Sequence, residues 1–443
     1  MLIKEPDLSN GTIRFQNSFL NTYLEYVEDT ESPRIFHIWS AIAAVGACLG
    51  RRVYLPWGIG PIFANNYILL VGPPAVRKST AMMRAKKLLT NATKVRFAPD
   101  DTGGQRQGLI GAMLGEETDK EKEELRKELG MAAGMTAESL SVDTLNKLQM
   151  SIEIDPRDKH CMFATSSEFA SFIGTNASEI LTFLIRVYDG DDYDYRLKST
   201  RESLENPLLS ILGCTNPTDI ATSMPAEAIG KGLMSRIILV HAREKYKLIA
   251  RPKPLDPNLQ AQIEGVFRDA FYKLDGAMEE TPEAQEYLDG LYAKGLGVND
   301  PRFVYYSERR HMHLIKTGMC LAAGRGSMQI TATDYREANL LLQVTESAMP
   351  EALGEYGLSP LATAKQRLVE FIAHANEPVG AQTLWAMMHR DIKAMDFQHC
   401  LSDLVNANQL RLVDTPTGKK YVTVEKSKGS LQDAILALLD TKE

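Results

Sequence analysis

Lys78 and Ser79 follow Gly72 in the spacing Gly72-x-x-x-x-Arg77-Lys78-Ser79, within the stretch "NNYILLVGPPAVRKSTAMMRAKKLL". A loop that holds phosphate needs consecutive backbone N–H groups aimed at the anion, a lysine for the outer phosphates and a hydroxyl for Mg2+, all at a helix N-terminus. The run "YILLV" predicts a buried strand before the loop and "TAMMRAKKLL" a helix after it. Gly72, Pro73, Pro74, Ala75, Val76, Arg77, Lys78, Ser79 and Thr80 therefore form the expected cradle. ATP and Mg2+ are its expected ligands, with Lys78 on the phosphates and Ser79 on the metal. Arg77 replaces the glycine usual before the lysine. A side chain fits there if its backbone is right-handed helical rather than left-handed, and Arg77 would then point outward or towards a phosphate.

Hydrolysis needs an acidic group at a second strand end. "CMFATSSEF" supplies Glu168 to orient the attacking water, with Ser167 where a metal-linked aspartate would stand. Water can fill the Mg2+ shell that Ser167 leaves incomplete. A further apolar run, "LLSILGCTNPTD", ends at Asn216, whose amide could hydrogen-bond the attacking water or the γ-phosphate; Asn before Pro is also an ordinary turn signal. In "GKGLMSRIILV", Arg236 opens another strand after a Gly-rich loop. At an exposed position there, its planar charge would suit the transferring phosphoryl oxygens of a neighbouring subunit's ATP.

The elements that must position these residues are readable from periodicity. "FQNSFLNTYLEYV" and "PRIFHIWSAIAAVGACLG" predict a helical collar over residues 1–60. Between 61 and 250, short apolar runs alternate with helical stretches, the pattern of an α/β domain with a mostly parallel sheet. A charged helix, "EETDKEKEELRKELGMAAGM", interrupts it at about 115–135. Residues 251–352 carry four segments with apolar spacing of three and four, predicting a helical lid. Over 360–426, three short helices followed by "QLRLVDTPTGKKYVTVE", two alternating strands about a Pro/Gly turn, predict a winged helix. Residues 427–443 form a tail.

Composition narrows the setting. The chain has 443 residues, 44% apolar and 24% charged, which predicts a globular protein with a substantial core. It contains no apolar run of about 18 residues and its N-terminus lacks a signal-peptide pattern, so a cytoplasmic location without membrane contact is expected. The 5 cysteines are scattered without disulfide or metal spacing, as expected for core residues in a reducing compartment. A net charge of −7 argues against a protein coated in nucleic acid but leaves room for a narrow basic channel in an assembly.

The order "GPPAVRKST", "FATSSE", "ILGCTN", "GLMSRI" and helical lid resembles the AAA+ P-loop ATPases: Walker A, Walker B, sensor 1, arginine finger and lid. The resemblance covers about residues 35–345. The lid with its winged helix, and "GLMSRI", are similar to minichromosome-maintenance-type helicases, while "FHIWSAIAAVGACLGRRVYLP" and "RKST" resemble a phage and prophage family of replication helicases. Arg77 for Gly and Ser167 for Asp depart from the general pattern.

The resemblance implies a homo-oligomeric, hexameric ring that hydrolyses ATP between subunits and translocates on DNA alongside replication proteins. It implies a sensor 2 arginine in "SERRHMHLIK", at Arg309 or Arg310, with Arg310 taken as the site residue. It also implies a DNA-gripping hairpin, which "YDYRLKSTRESLEN" within about 192–206 fits, with Lys198 and Arg201 flanking the tip. Tyr188, Tyr193 and Tyr195 are expected to pack in the core rather than stack on bases. A helicase loader or remodeller, and an ATP-regulated initiator that binds DNA through the winged helix, are the alternatives.

Overall fold

The computed structural model describes residues 15–58, 60–99, 106–115, 155–174, 177–196, 201–223, 232–354, 360–375, 377–389, 391–415 and 418–424. The chain divides into two compact units that part after Gly354. The described residues of the expected collar, sheet and lid all belong to the first, and residues 1–14 of the expected collar lie outside the described residues. The charged helix at about 115–135, the tip residue Lys198 and the tail 427–443 lie outside the described residues.

The first unit is built on a parallel sheet, with helix α4 (Arg106–Leu114) and the short strands β1 (Val53–Leu55), β2 (Ile62–Phe63), β9 (Gly276–Ala277), β10 (Glu279–Glu280) and β11 (Gln329–Ile330) outside it. Strands β3 (Tyr67–Val71), β4 (Cys161–Ser166), β7 (Leu208–Thr215) and β8 (Ile237–His241) run in the order β4-β7-β3-β8, all pairs parallel. Their near-continuous apolar runs fit this: β3, β7 and β8 are buried throughout, as strands covered on both faces must be. The cover comes from α2 (Arg34–Leu49), α3 (Lys78–Ala92), α5 (Phe169–Ile173) and α6 (Ala177–Asp189), all packed on β7. In α3 the buried residues Ala81, Met82, Ala85, Leu88, Leu89 and Ala92 recur at helical spacing, which pins the helix to the core. Helix α1 (Ser18–Tyr26) completes the collar, with the Asn17 side chain accepting the Leu20 N–H as its cap.

The helices expected over 251–352 are present, and three of them begin at side-chain caps. Asp256 caps α8 (Pro257–Tyr272), Thr281 caps α9 (Pro282–Lys294), and Thr331 with Asp334 forms a reciprocal box at α11 (Ala332–Leu353). Helix α10 (Val304–Gly324) packs on both α2 and α11. Strands β5 (Tyr193–Arg196) and β6 (Arg201–Leu204) form an antiparallel hairpin, registered from Tyr193↔Leu204 to Arg196↔Arg201. Tyr188 and Tyr193 are buried, as expected, and Tyr193 meets Phe183 edge-on at 4.9 Å. Among the described residues no helix is long and apolar enough to cross a membrane.

The second unit packs α12 (Pro360–His374), α13 (Ala381–Met388) and α14 (Ala394–Asn406) with a small antiparallel sheet around Leu368, Leu384, Cys400 and Leu410. The expected two strands, β13 (Leu410–Thr415) and β14 (Gly418–Thr423), are present. A third, β12 (Val379–Gly380), extends the sheet by pairing with β14. Two residues are too short to show alternation, so the sequence gives no sign of it.

Candidate nucleotide site

The Gly72–Thr80 loop leaves β3 at the C-terminal edge of the sheet. Its first residue is caught between neighbours: the Gly72 N–H donates to the Thr215 carbonyl at 3.3 Å, and a Cβ on Gly72 would lie 2.4 Å from the Ala242 carbonyl oxygen. Only glycine fits. Val76 turns inward and is buried, while Pro73, Pro74, Ala75, Arg77 and Ser79 are exposed. Thr80 donates its N–H to the Arg77 carbonyl at 3.2 Å, opening α3.

Arg77 overturns one expectation. Its backbone is left-handed, at φ 67 and ψ 34, and Ala75 is left-handed too, at φ 69. Left-handed residues interleaved with right-handed ones form a concave nest of N–H groups, the geometry that binds anions. The Arg77 side chain leaves the loop and donates through Nε to Glu31 Oε2 at 2.7 Å. Glu31 also accepts from Lys245 Nζ at 3.1 Å and from the Ile249 N–H at 3.3 Å. Hydrogen bonds from Lys245, then Arg77, hold its carboxyl down to about 2.

Lys78 Nζ donates back to the carbonyls of Gly72 at 2.6 Å and Pro73 at 3.0 Å. Burial lowers its pKa, and the thiol of Cys214 and the carboxylate of Asp219 oppose that shift. Asp219 is a residue the sequence reading missed. Asn216 Nδ2 donates to Asp219 Oδ2 at 2.6 Å, and the Asp219 N–H returns to Asn216 Oδ1 at 2.8 Å. The Asn216-x-x-Asp219 spacing at the start of α7 (Pro217–Ser223) is the local signal that could have found it. Glu168 sits exposed after β4, before α5, and accepts from Ser171 Oγ at 3.3 Å. Because β7 lies between β4 and β3, the Lys78 loop, Asn216 and Glu168 leave three adjacent strands at one sheet edge.

Arg236 is not at the exposed position expected of it. It is buried in a short 3-10 turn, Met234–Arg236, where Nη1 donates to the Gly232 carbonyl at 2.8 Å and Nε to Asp189 Oδ1 at 3.4 Å. The reason is the end of α6, which brings Asp189 beside the turn. Arg310 also departs from expectation. It is buried inside the lid, with Nε 2.7 Å from Glu346 Oε1 and Nη2 2.9 Å from Asn339 Oδ1, both on α11. Arg309 instead reaches out of the lid and donates to Asp189 Oδ1 at 3.1 Å. Arg201 stands opposite Arg196 in the hairpin.

In the second unit, Lys419 is exposed on β14, and Asp403 of α14 is neutralised by Lys365 Nζ at 2.7 Å. No protein-family model and no curated protein matches the chain.

Proposed function

We propose that the chain is a ring-forming AAA+ ATPase that moves along or opens DNA, of the kind serving a phage or prophage replication module. One observation carries this reading: a sheet order that delivers the Gly72–Thr80 loop, Asn216 and Glu168 to the same edge from adjacent strands. ATP would supply the transferable phosphoryl group, and Mg2+ the charge that neutralises its oxygens. The left-handed Ala75 and Arg77 fit a phosphate cradle, and Lys78 at the head of α3 adds charge where the helix dipole already favours anions.

Ser79 would offer its hydroxyl to the metal, and water would fill the place that the absent carboxylate at Ser167 leaves in its shell. Glu168 would orient and deprotonate the attacking water, while Asp219 fixes the orientation of the Asn216 amide. Arg236, released from Asp189, completes the charge on a neighbouring subunit's γ-phosphate, with Arg309 rather than Arg310 as the lid arginine. In a hexameric ring, the β5–β6 hairpins would line the pore, with Lys198 and Arg201 the expected contacts to a phosphate backbone. The second unit serves as a winged helix.

A nucleotide-switched loader or initiator is the second reading. Ser167 favours it, because an Mg2+ shell lacking that carboxylate would support only slow hydrolysis. Steady-state ATP hydrolysis with and without single-stranded DNA separates the two. The translocase reading expects stimulation by DNA, loss of that stimulation in Lys198→Ala/Arg201→Ala, and hydrolysis at least about 100-fold slower in Glu168→Gln with ATP still bound. Hydrolysis indifferent to DNA, together with no strand displacement, would leave the loader or initiator standing.

A further inference from the structure

Among the described residues, four non-glycine residues have positive φ: Ala75, Arg77, Asn206 and Asn408. Asparagine tolerates that region, whereas a long side chain such as arginine seldom adopts it. The Arg77 side chain is engaged from outside the loop. Glu31, in the loop between α1 and α2, is fixed independently of Arg77: Lys245 Nζ lies 3.1 Å from both carboxylate oxygens, the Ile249 N–H reaches Oε1, and the Glu31 carbonyl accepts the Tyr246 N–H at 3.0 Å. The carboxylate is thus a preset anchor, and Arg77 Nε meets it at 2.7 Å.

We propose that Glu31 is a positioning residue for the phosphate loop: by holding the Arg77 side chain it keeps that residue left-handed and the loop's N–H groups aimed at phosphate. The ion pair takes over what glycine's conformational freedom would otherwise do. This rests on the nucleotide reading above, and it makes the collar loop part of the binding site without any contact to the ligand. Released from Glu31, Arg77 relaxes towards right-handed angles and the nest flattens. Binding must then restore a disfavoured conformation.

The test is epistasis in the full chain, read as the dissociation constant of mant-ATP with Mg2+, alongside melting temperature to confirm folding. Glu31→Gln should weaken binding about tenfold, the factor set by one left-handed residue. In an Arg77→Gly background, where no anchor is needed, the same Glu31→Gln change should matter less than about twofold. Arg77→Ala leaves Glu31 and its other partners intact and should bind about tenfold more weakly than Arg77→Gly. Equal losses from Glu31→Gln in both backgrounds, or Arg77→Ala binding as tightly as Arg77→Gly, would overturn the proposal while leaving the nucleotide reading in place. Wild type that binds no mant-ATP at all removes both.

Discussion

Arg236 and Arg309 donate to one carboxylate, that of Asp189, although Arg236 belongs to the turn before β8 and Arg309 to the lid helix α10. Asp189 closes α6, directly ahead of the hairpin that starts at Tyr193. The turn before β8 and helix α10 therefore meet at a single side chain.

Adjacent residues on a helix point roughly 100° apart, which is why Arg309 and Arg310 have different tasks. Arg310 and Glu346 form a buried pair inside the lid, with Tyr306 Oη also donating to Glu346 at 3.1 Å. Arg310→Met should strand that carboxylate and destabilise the protein by about 3 kcal/mol. Arg309→Ala removes a partly exposed pair and should cost less than about 1 kcal/mol, yet lower ATP turnover about 100-fold. Urea unfolding and steady-state hydrolysis on both variants check the division. Normal turnover in Arg309→Ala would return the lid role to Arg310.

What could be read beforehand depended on local signals. Asp256-Pro257, Thr281-Pro282 and Thr331 with Asp334 mark helix starts, and the apolar runs at Tyr67, Leu208 and Ile237 became buried parallel strands. The partners that fix the site residues have no such signal. Glu31 and Arg77 are separated by 46 positions, Asp189 and Arg236 by 47, and Asp189 and Arg309 by 120. Local rules even misdirect at Arg77, because a non-glycine residue normally argues for right-handed angles, and its partner Glu31 is distant in sequence. Arg236 was misjudged for the same reason: a residue at a strand start after a Gly-rich loop reads as exposed until Asp189 is seen beside it.

Lys316 should impose a pH dependence on stability. It is buried, its Nζ donates to the Asn65 carbonyl at 3.0 Å and lies 4.4 Å from the Tyr188 ring centre, and burial lowers its pKa to about 7. The unfolded lysine titrates near its ordinary 10.5. Between those values the unfolded chain binds more protons, so stability rises with pH across the window and is lost as pH falls through about 7. The wild-type minus Lys316→Met difference in unfolding free energy should grow by up to about 1.4 kcal/mol per pH unit above 7, favouring the lysine. Denaturant unfolding at pH 7 and pH 9 measures it, and equal differences at both would mean Lys316 titrates normally.

Ala75 isolates the strain that Arg77 conceals. It is exposed, left-handed at φ 69 and offers no polar side-chain group to anchor it, so nothing polar is lost on substitution. The left-handed region costs an L-residue about 1–2 kcal/mol, and glycine gives back about 0.5–1 kcal/mol through the greater entropy of the unfolded chain. Ala75→Gly should therefore stabilise the protein by up to about 1 kcal/mol and bind mant-ATP at least as tightly, since a phosphate there is met by backbone N–H groups. Arg77→Gly gains the same relief but gives up the Glu31 pair, so its stabilisation should be smaller. Destabilisation by Ala75→Gly would show that the loop holds its left-handed residues without strain, and the anchor at Glu31 would then have nothing to oppose.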